Sequence, residues 1–174
     1  RTHGDTEVIL AGYMRWGADC LTRLRGMFTI VIWDKQEREL FIARDRLGVK
    51  PLYYSHQENG FVFASEIRAV LKSGNICRKI DRIALLEYFR YQSIGFPFSP
   101  VEGVCQMEAG TWMRIKNGEI HTHKYWDPIV KNHEFDFTSK KEVQQKVKEL
   151  MLQSVKRRLV SDVPVGAFLS GGID

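Results

Sequence analysis

Apolar and polar positions alternate in short runs over the first 128 residues, and this pattern predicts paired β-strands. Three pairs are recognisable, each made of two β-rich runs on either side of a polar turn. In the third pair, Asn117-Gly118 is the dipeptide most typical of a tight β-hairpin turn. The predicted pairs are residues 28–33 with 39–43, residues 52–55 with 61–64, and the two halves of "TWMRIKNGEIHTHKYW".

Helices are predicted between and before these hairpins. Apolar residues in the stretch 5–16 recur at the spacing of one helix face, with Asp5 at the N-cap position and Gly17 as the stop. Antiparallel strands interspersed with helices indicate an α+β fold. Shorter helices are predicted at residues 20–24, 66–73 and 82–91, the last of them capped by Asp81.

The pattern changes after residue 128. Residues 129–140 are polar and irregular, as expected of a linker. A long amphipathic helix then follows, and an apolar run at residues 165–169 predicts a strand that leads into a glycine-rich loop. Helix, strand and loop in this order are typical of the start of a parallel α/β domain. We therefore predict two domains, at residues 1–128 and 141–174.

Composition excludes several classes of protein. The chain is 44% hydrophobic and 27% charged, and no apolar run approaches the roughly 20 residues that cross a bilayer. The net charge of +5 has its densest cluster at residues 156–158, where a solvated helix face is a better explanation than a nucleic-acid site. The three cysteines are widely spaced and form no CxxC pair, which indicates a reducing, cytoplasmic location without a zinc site.

The end of the chain carries the clearest chemical motif, "LSGGID". Paired glycines after a strand let backbone N–H groups converge on an anion, and the hydroxyl of Ser170 adds a donor. The segment resembles the Ser-Gly-Gly-x-Asp-Ser loop with which ATP pyrophosphatases hold the pyrophosphate of ATP. An ordinary turn at the end of a strand would also explain so short a pattern.

Several stretches together make the resemblance specific. The chain contains "GDTEVIL", "LRGMFTIVIWD", "LFIARDRLGVKPLYY", "FVFASEIRAVL" and "RRLVSDVPVGAFLSGGID" in this order. Similar stretches occur in the same order in the glutamine-dependent asparagine synthetase family. The resemblance implies an N-terminal-nucleophile-hydrolase-like domain of layered antiparallel sheets with flanking helices. It also implies that the first helix and strand of an α/β nucleotide-binding domain follow.

The resemblance also implies an activity. In this family a class II glutamine amidotransferase domain hydrolyses glutamine, and the ammonia passes through an internal tunnel to a synthetase domain. There Mg²⁺ and ATP activate aspartate, and ammonia displaces AMP to give asparagine. The expected partners are therefore glutamine, aspartate and ATP, with a possible second copy in a homodimer, and with neither nucleic acid nor membrane.

Individual residues match the family's sites in part. Asp5 matches the aspartate that pairs with the α-ammonium of glutamine, a role compatible with capping the first helix. The catalytic N-terminal cysteine and the oxyanion-hole residues of the family lie upstream of Arg1, so we expect this chain alone to be inactive. The residues that match the ATP site are Phe168, Leu169, Ser170, Gly171, Gly172 and Asp174.

Other interpretations stay open from the sequence alone. The same two domains could serve a relative that amidates a sugar acid or forms a β-lactam, or a degenerate module without catalysis. Arg44 and Asp45 are expected to form a structural ion pair that fixes the turn leading to Lys50. His121 and His123 alternate on one strand, but two ligands without a third are more typical of surface histidines than of a metal site.

Overall fold

The computed structural model describes residues 4–58, 60–74, 76–129, 139–161, 163–168 and 171. The chain divides into two compact units, Arg1–Ile129 and Val130–Asp174. None of the helices within the described ranges is long and apolar enough to cross a membrane. In chain order the elements are α1 (Asp5–Trp16), a 3₁₀ turn (Gly17–Asp19), α2 (Cys20–Arg23), β1 (Thr29–Asp34), β2 (Glu39–Arg44), β3 (Tyr53–Gln57), β4 (Gly60–Ala64), α3 (Ile67–Lys72), α4 (Arg82–Tyr91), β5 (Cys105–Gln106), β6 (Thr111–Lys116), β7 (Glu119–Lys124) and α5 (Lys140–Arg158).

Two antiparallel sheets form the first unit. The larger sheet has the order β1-β2-β6-β7, and the smaller one has the order β4-β3-β5. The three predicted hairpins are confirmed as the pairs β1–β2, β3–β4 and β6–β7. Asn117 and Gly118 both take positive φ angles, of 52° and 83°, as the predicted tight turn requires.

The alternation of side chains along the strands sorts the apolar residues into three clusters. One face of the larger sheet, with Ile30 and Phe41, packs against α1 and α2. Its other face, with Ile42 and Met113, packs against Tyr54 and Phe61 of the smaller sheet. The far face of the smaller sheet packs against α3. The first unit is therefore layered as helix, sheet, sheet and helix, which is the layered α+β arrangement that the sequence predicts.

Of the N-cap residues predicted for the helices, the structure confirms one and contradicts another. The side chain of Asp81 accepts hydrogen bonds from the N–H groups of Ile83 and Ala84, so it caps α4 as predicted. At α1, however, the N-cap is Gly4, and Asp5 is the first helical residue. The predicted capping role of Asp5 is therefore wrong, and its carboxylate lies one position further into the helix.

The second unit differs from the prediction in one element. Helix α5 begins after Ser139, whose side-chain oxygen accepts a hydrogen bond from the N–H of Glu142 at 3.2 Å. Residues 163–168 are irregular, so the strand predicted at 165–169 is not formed over its described part. Apolar composition alone does not make a strand, because its N–H and C=O groups need a neighbouring strand. Every described strand belongs to the two sheets of the first unit.

Candidate functional site

Asp5, the candidate glutamine-binding residue, lies exposed at the N-terminus of α1. The carbonyl of Gly4 accepts a hydrogen bond from the N–H of Glu7 at 3.3 Å, and this bond closes the first turn of the helix. Within the described ranges no side chain or backbone group is hydrogen-bonded or ion-paired to the Asp5 carboxylate. The described part of the chain therefore gives this carboxylate no partner.

Helix α1 holds Asp5 in a fixed position relative to the larger sheet. Ile9 and Tyr13 lie one and two turns after Asp5 and pack against the cluster that contains Phe41. The rings of Tyr13 and Phe41 are 4.7 Å apart between centroids. The positive end of the helix dipole interacts favourably with a negative charge in the first turn. A carboxylate on a packed helix is suited to bind a cation such as an α-ammonium group.

Asp45 is a carboxylate whose hydrogen bonds are all made within the first unit. It is 1% exposed. Its two carboxylate oxygens accept hydrogen bonds from four backbone N–H groups, those of Phe28 at 3.3 Å, Leu47 at 3.1 Å, Val49 at 3.0 Å and Lys50 at 2.9 Å. The carboxylate therefore fixes the turn after β2 through the backbone and has no lone pair free for a substrate.

Arg44 stabilises the same turn from its other side. Its guanidinium donates to the carbonyls of Lys50 at 2.8 Å, of Gly48 at 2.7 Å and of Met107. Burial lowers the pKa of Arg44, and the charge of Asp45 opposes this shift. No direct ion pair joins Arg44 to Asp45 in the described structure, so that prediction is wrong. Each side chain instead satisfies backbone groups, although both do fix the turn, as expected.

Tyr125 and Gly110 connect this turn to the third hairpin. The hydroxyl of Tyr125 donates to the carbonyl of Arg44 at 2.8 Å, and the N–H of Gly110 donates to the carbonyl of Asp45 at 2.9 Å. Burial is the main cause that raises the pKa of Tyr125 to about 12. These contacts join residues far apart in the chain, and no local sequence pattern could have predicted them.

The three cysteines are the thiols that could act as nucleophiles. Cys20 is buried, and burial raises the pKa of its thiol. Burial likewise raises the pKa of the half-buried Cys105. A raised pKa keeps both groups in the unreactive thiol form at neutral pH. Cys77 is exposed on the surface.

His121 and His123 lie on β7 at the edge of the larger sheet. The Nε2 atom of His121 is 3.7 Å from a carboxylate oxygen of Glu119, and the His123 ring is 5.2 Å from the Trp112 ring. Among the residues whose structure is described, no group of three His, Cys, Asp or Glu side chains could hold a metal ion. Both histidines are exposed.

The candidate ATP-binding residues are described only in part. Phe168 is fully exposed, and a Cβ atom at Gly171 would have no atom within 4 Å. These two residues form no cradle for a phosphate group by themselves. The other predicted members of the loop, Leu169, Ser170, Gly172 and Asp174, lie outside the described residues.

Two family models match successive parts of the chain, in the same order as the motifs described above. The family model for the glutamine amidotransferase domain matches residues 1–126. The family model for asparagine synthase matches residues 146–174.

Two of the proteins that are similar to this chain are named asparagine synthetases. The chain is 36% identical over 171 residues to asparagine synthetase [glutamine-hydrolyzing] 3 of Bacillus subtilis, covering 98% of this chain and 27% of that protein. It is 39% identical over 177 residues to putative asparagine synthetase [glutamine-hydrolyzing] 2 of Methanocaldococcus jannaschii, covering 99% of this chain and 34% of that protein. The chain thus spans about a quarter to a third of the length of these relatives.

A solved structure confirms the fold class. The chain is similar to glutamine phosphoribosylpyrophosphate amidotransferase from B. subtilis, complexed with ADP and GMP, with a TM-score of 0.52 and 20% identity. The similarity covers 74% of this chain and 24% of that one. The layered sheets of the first unit therefore have the N-terminal-nucleophile-hydrolase fold.

Proposed function

This chain belongs to the glutamine amidotransferase domain family, and we propose that it is part of a glutamine-dependent asparagine synthetase. In that enzyme, glutamine hydrolysis supplies ammonia, which displaces AMP from ATP-activated aspartate to give asparagine. The proposed organisation is the end of an amidotransferase domain at residues 1–128, a linker at 129–140 and the start of a synthetase domain at 141–174. A cytoplasmic location suits these substrates.

One observation carries the proposal. The exposed carboxylate of Asp5, which has no partner among the described residues, lies at the N-terminus of a helix that packs on the larger sheet, within the part of the chain that matches the amidotransferase family. The α-ammonium of free glutamine is a cation that needs a carboxylate partner. Asp5 is proposed to bind that group and to orient the side-chain amide toward the nucleophile.

The nucleophile itself is proposed to lie outside these 174 residues. Burial raises the pKa of both Cys20 and Cys105, so neither is activated as a nucleophile must be. None of the three cysteines occupies the N-terminal position that the nucleophile has in the family, so the 174-residue chain is expected to release no ammonia from glutamine.

ATP and Mg²⁺ are proposed to act in the synthetase domain. The support is the motif "LSGGID" and the match of residues 146–174 to the asparagine synthase family. Phe168 and Gly171 do not form a phosphate cradle on their own. The assignment therefore rests on the motif, and no catalytic step is derived from these residues.

Substitution of Asp5 by Asn in the full-length protein tests the proposal. Asn keeps the size of the side chain but removes its charge, so the α-ammonium of glutamine loses its ion-pair partner. We expect kcat/KM for glutamine-supported asparagine synthesis to fall by about tenfold to a hundredfold, because hydrogen bonds to charged groups contribute roughly 1.5–3 kcal/mol. Asparagine synthesis supported by ammonium chloride should be unchanged.

Asp19 provides the matched control, because it is another exposed aspartate close to α1. Asp19→Asn should leave both the glutamine-supported and the ammonia-supported rates unchanged. Equal loss of both rates in Asp5→Asn would mean a structural role for Asp5. Retention of both rates would refute its role in binding glutamine.

A further inference from the structure

Asp5, Ile9 and Tyr13 lie in one row along α1. Residues spaced four apart in an α-helix share a face, so the row runs from the first turn of the helix to its last. Asp5 is exposed, whereas Ile9 and Tyr13 are half-buried against the cluster that contains Phe41. At a rise of about 1.5 Å per residue, Tyr13 lies about 12 Å from Asp5 along the helix axis. The position of Asp5 therefore depends on how Tyr13 is seated on the larger sheet.

Tyr13 rests on a group of aromatic rings in the larger sheet. Its ring packs on that of Phe41 in β2, and the Trp112 ring in β6 lies 5.9 Å from the Phe41 ring between centroids. Arg114 is the direct partner of Phe41 across the β2–β6 pair. Its guanidinium carbon lies 6.0 Å from the ring centroid of Phe41 and 5.1 Å from that of Trp112. Because aromatic ring faces attract a cation, these rings hold the guanidinium beside the seat of Tyr13.

Glu39 holds the same guanidinium from the side of β2. The Nε atom of Arg114 is 3.3 Å from Oε1 of Glu39, which makes an ion pair. This Nε has no hydrogen-bond partner among the described residues, so charge and not an aligned hydrogen bond joins the two groups. The side chain of Glu39 is only 18% exposed, and salt therefore screens this pair less than it screens a pair in open solvent. The planar guanidinium is thus fixed between a carboxylate and two rings.

The charge of Arg114 also acts on the hydroxyl of Tyr13. Burial is the largest cause that raises the pKa of Tyr13, and the positive charge of Arg114 opposes this rise. Arg114 therefore lies close to the polar end of Tyr13, and Phe41 lies against its ring. A residue of the sheet and a residue of α1 are joined here by charge as well as by apolar packing.

We propose that Arg114 is a positioning residue for glutamine binding, which holds Tyr13 and so keeps α1 at the angle that places Asp5 beside the α-ammonium group. The proposal rests on the proposed function, because Arg114 acts through Asp5 and touches no substrate itself. Over the roughly 12 Å between Tyr13 and Asp5, a tilt of about 10° moves Asp5 by about 2 Å. Hydrogen bonds weaken well within such a displacement, so a small change in the seat of Tyr13 weakens the binding of glutamine.

Replacement of Arg114 by Met in the full-length protein tests this proposal. Met keeps an unbranched apolar side chain over Phe41 but removes the charge. We expect KM for glutamine to rise about threefold to tenfold with kcat almost unchanged, because a cation over aromatic rings contributes to binding energies at this level. Asparagine synthesis supported by ammonium chloride should be unchanged, since it needs no glutamine.

Arg90 provides the matched control. Its guanidinium carbon lies 5.0 Å from the ring centroid of Tyr91 on α4, so Arg90→Met removes a similar contact at an exposed position that does not seat α1. KM for glutamine should be the same in this variant as in the unmodified protein. An equal rise in KM for Arg90→Met and Arg114→Met would overturn the proposal.

The double variant with Asp5→Asn and Arg114→Met shows whether Arg114 acts through Asp5. Its kcat/KM for glutamine should be no lower than that of Asp5→Asn alone, because a misplaced carboxylate that is already absent cannot cost more. Additive losses would overturn the positioning role. A loss in Asp5→Asn with none in Arg114→Met would refute the positioning role alone, whereas no loss in Asp5→Asn would refute both proposals.

Tyr13→Phe is the second variant, for use should Arg114→Met fail to fold. Phe keeps the ring on Phe41 and removes the hydroxyl on which Arg114 acts. We expect KM for glutamine to rise about twofold to fivefold, the size of one modest polar contact. Circular dichroism during heating checks that each variant is folded. An unchanged KM in the folded variants, or an equal loss of the glutamine-supported and ammonia-supported rates, would overturn the proposal.

Discussion

At the scale of single residues, the structure separates two aspartates by what surrounds their carboxylates. Asp45 is buried and accepts four backbone N–H groups, whereas Asp5 is exposed with no partner among the described residues. A carboxylate whose lone pairs are all used stabilises the fold, and an open one is free to bind a ligand. The hydrogen-bond partners that distinguish the two carboxylates are visible only in the structure.

Asp45→Asn should destabilise the first unit strongly. The amide nitrogen of Asn would face backbone donors and leave them without an acceptor inside the protein. We expect the free energy of unfolding to fall by about 2–4 kcal/mol, because hydrogen bonds to a charged group are lost and their N–H donors stay buried. Urea denaturation followed by tryptophan fluorescence measures this change.

Asp34→Asn is the control for that substitution. One oxygen of Asp34 accepts from the N–H groups of Gln36 and Glu37 in an exposed turn. The carbonyl oxygen of Asn can accept the same two bonds, so a loss below about 1 kcal/mol is expected. Equal losses for the two variants would contradict the structural role given to Asp45.

At the scale of elements, Gly110 and Gly118, which lie before and after β6, differ in the space available for a side chain. Gly110, just before β6, has a φ of +66°, and a Cβ atom there would lie 2.6 Å from the carbonyl oxygen of Trp126. Gly118, in the turn after β6, has a φ of +83°, and a Cβ atom there would have nothing within 4 Å. Both positions favour glycine, but only Gly110 also requires it sterically.

Alanine substitution at both glycines should reveal this difference. Gly118→Ala should lower the free energy of unfolding by about 1 kcal/mol, the usual cost of a positive φ for a residue with a Cβ. Gly110→Ala should cost about 2–4 kcal/mol, because the backbone of Trp126 must also move. Chemical denaturation of the two variants measures both values. If Gly110→Ala lowers the free energy of unfolding no more than Gly118→Ala does, the contact with Trp126 is unimportant.

Elements with a local cause were predictable from the sequence, whereas those that depend on distant contacts were not. The Asn117-Gly118 turn and the Asp81 cap are fixed by residues within a few positions, and both are confirmed. The two-residue strand β5 exists because it pairs with β3, about fifty positions earlier in the chain, and the sequence analysis missed it. The strand predicted at 165–169 is not formed over its described residues, 165–168, beside which no described strand lies to complete a ladder.

In the candidate site, too, the local element was predictable from the sequence and the detailed contacts were not. Asp5 lies at the start of the predicted helix, but the cap falls on Gly4, one residue earlier. The backbone contacts of Arg44 and Asp45 depend on the fold of the following turn, which no pattern of charges specifies.

At the scale of the whole molecule, the chain combines parts that match two families in a fixed order. Residues 1–126 match the glutamine amidotransferase domain, and residues 146–174 match asparagine synthase. Under the proposed function, ammonia is released in one domain and used in the other, so nitrogen from glutamine should reach the product.

Transfer of nitrogen from amide-labelled ¹⁵N-glutamine therefore tests the central claim most directly. The full-length protein would be incubated with the labelled glutamine, ATP, Mg²⁺ and a panel of acids, and the amide products identified by mass spectrometry. We predict that ¹⁵N enters the side-chain amide of asparagine when aspartate is present, with one AMP released per amide formed. Labelled amide on another acid, or none on aspartate, would contradict the account.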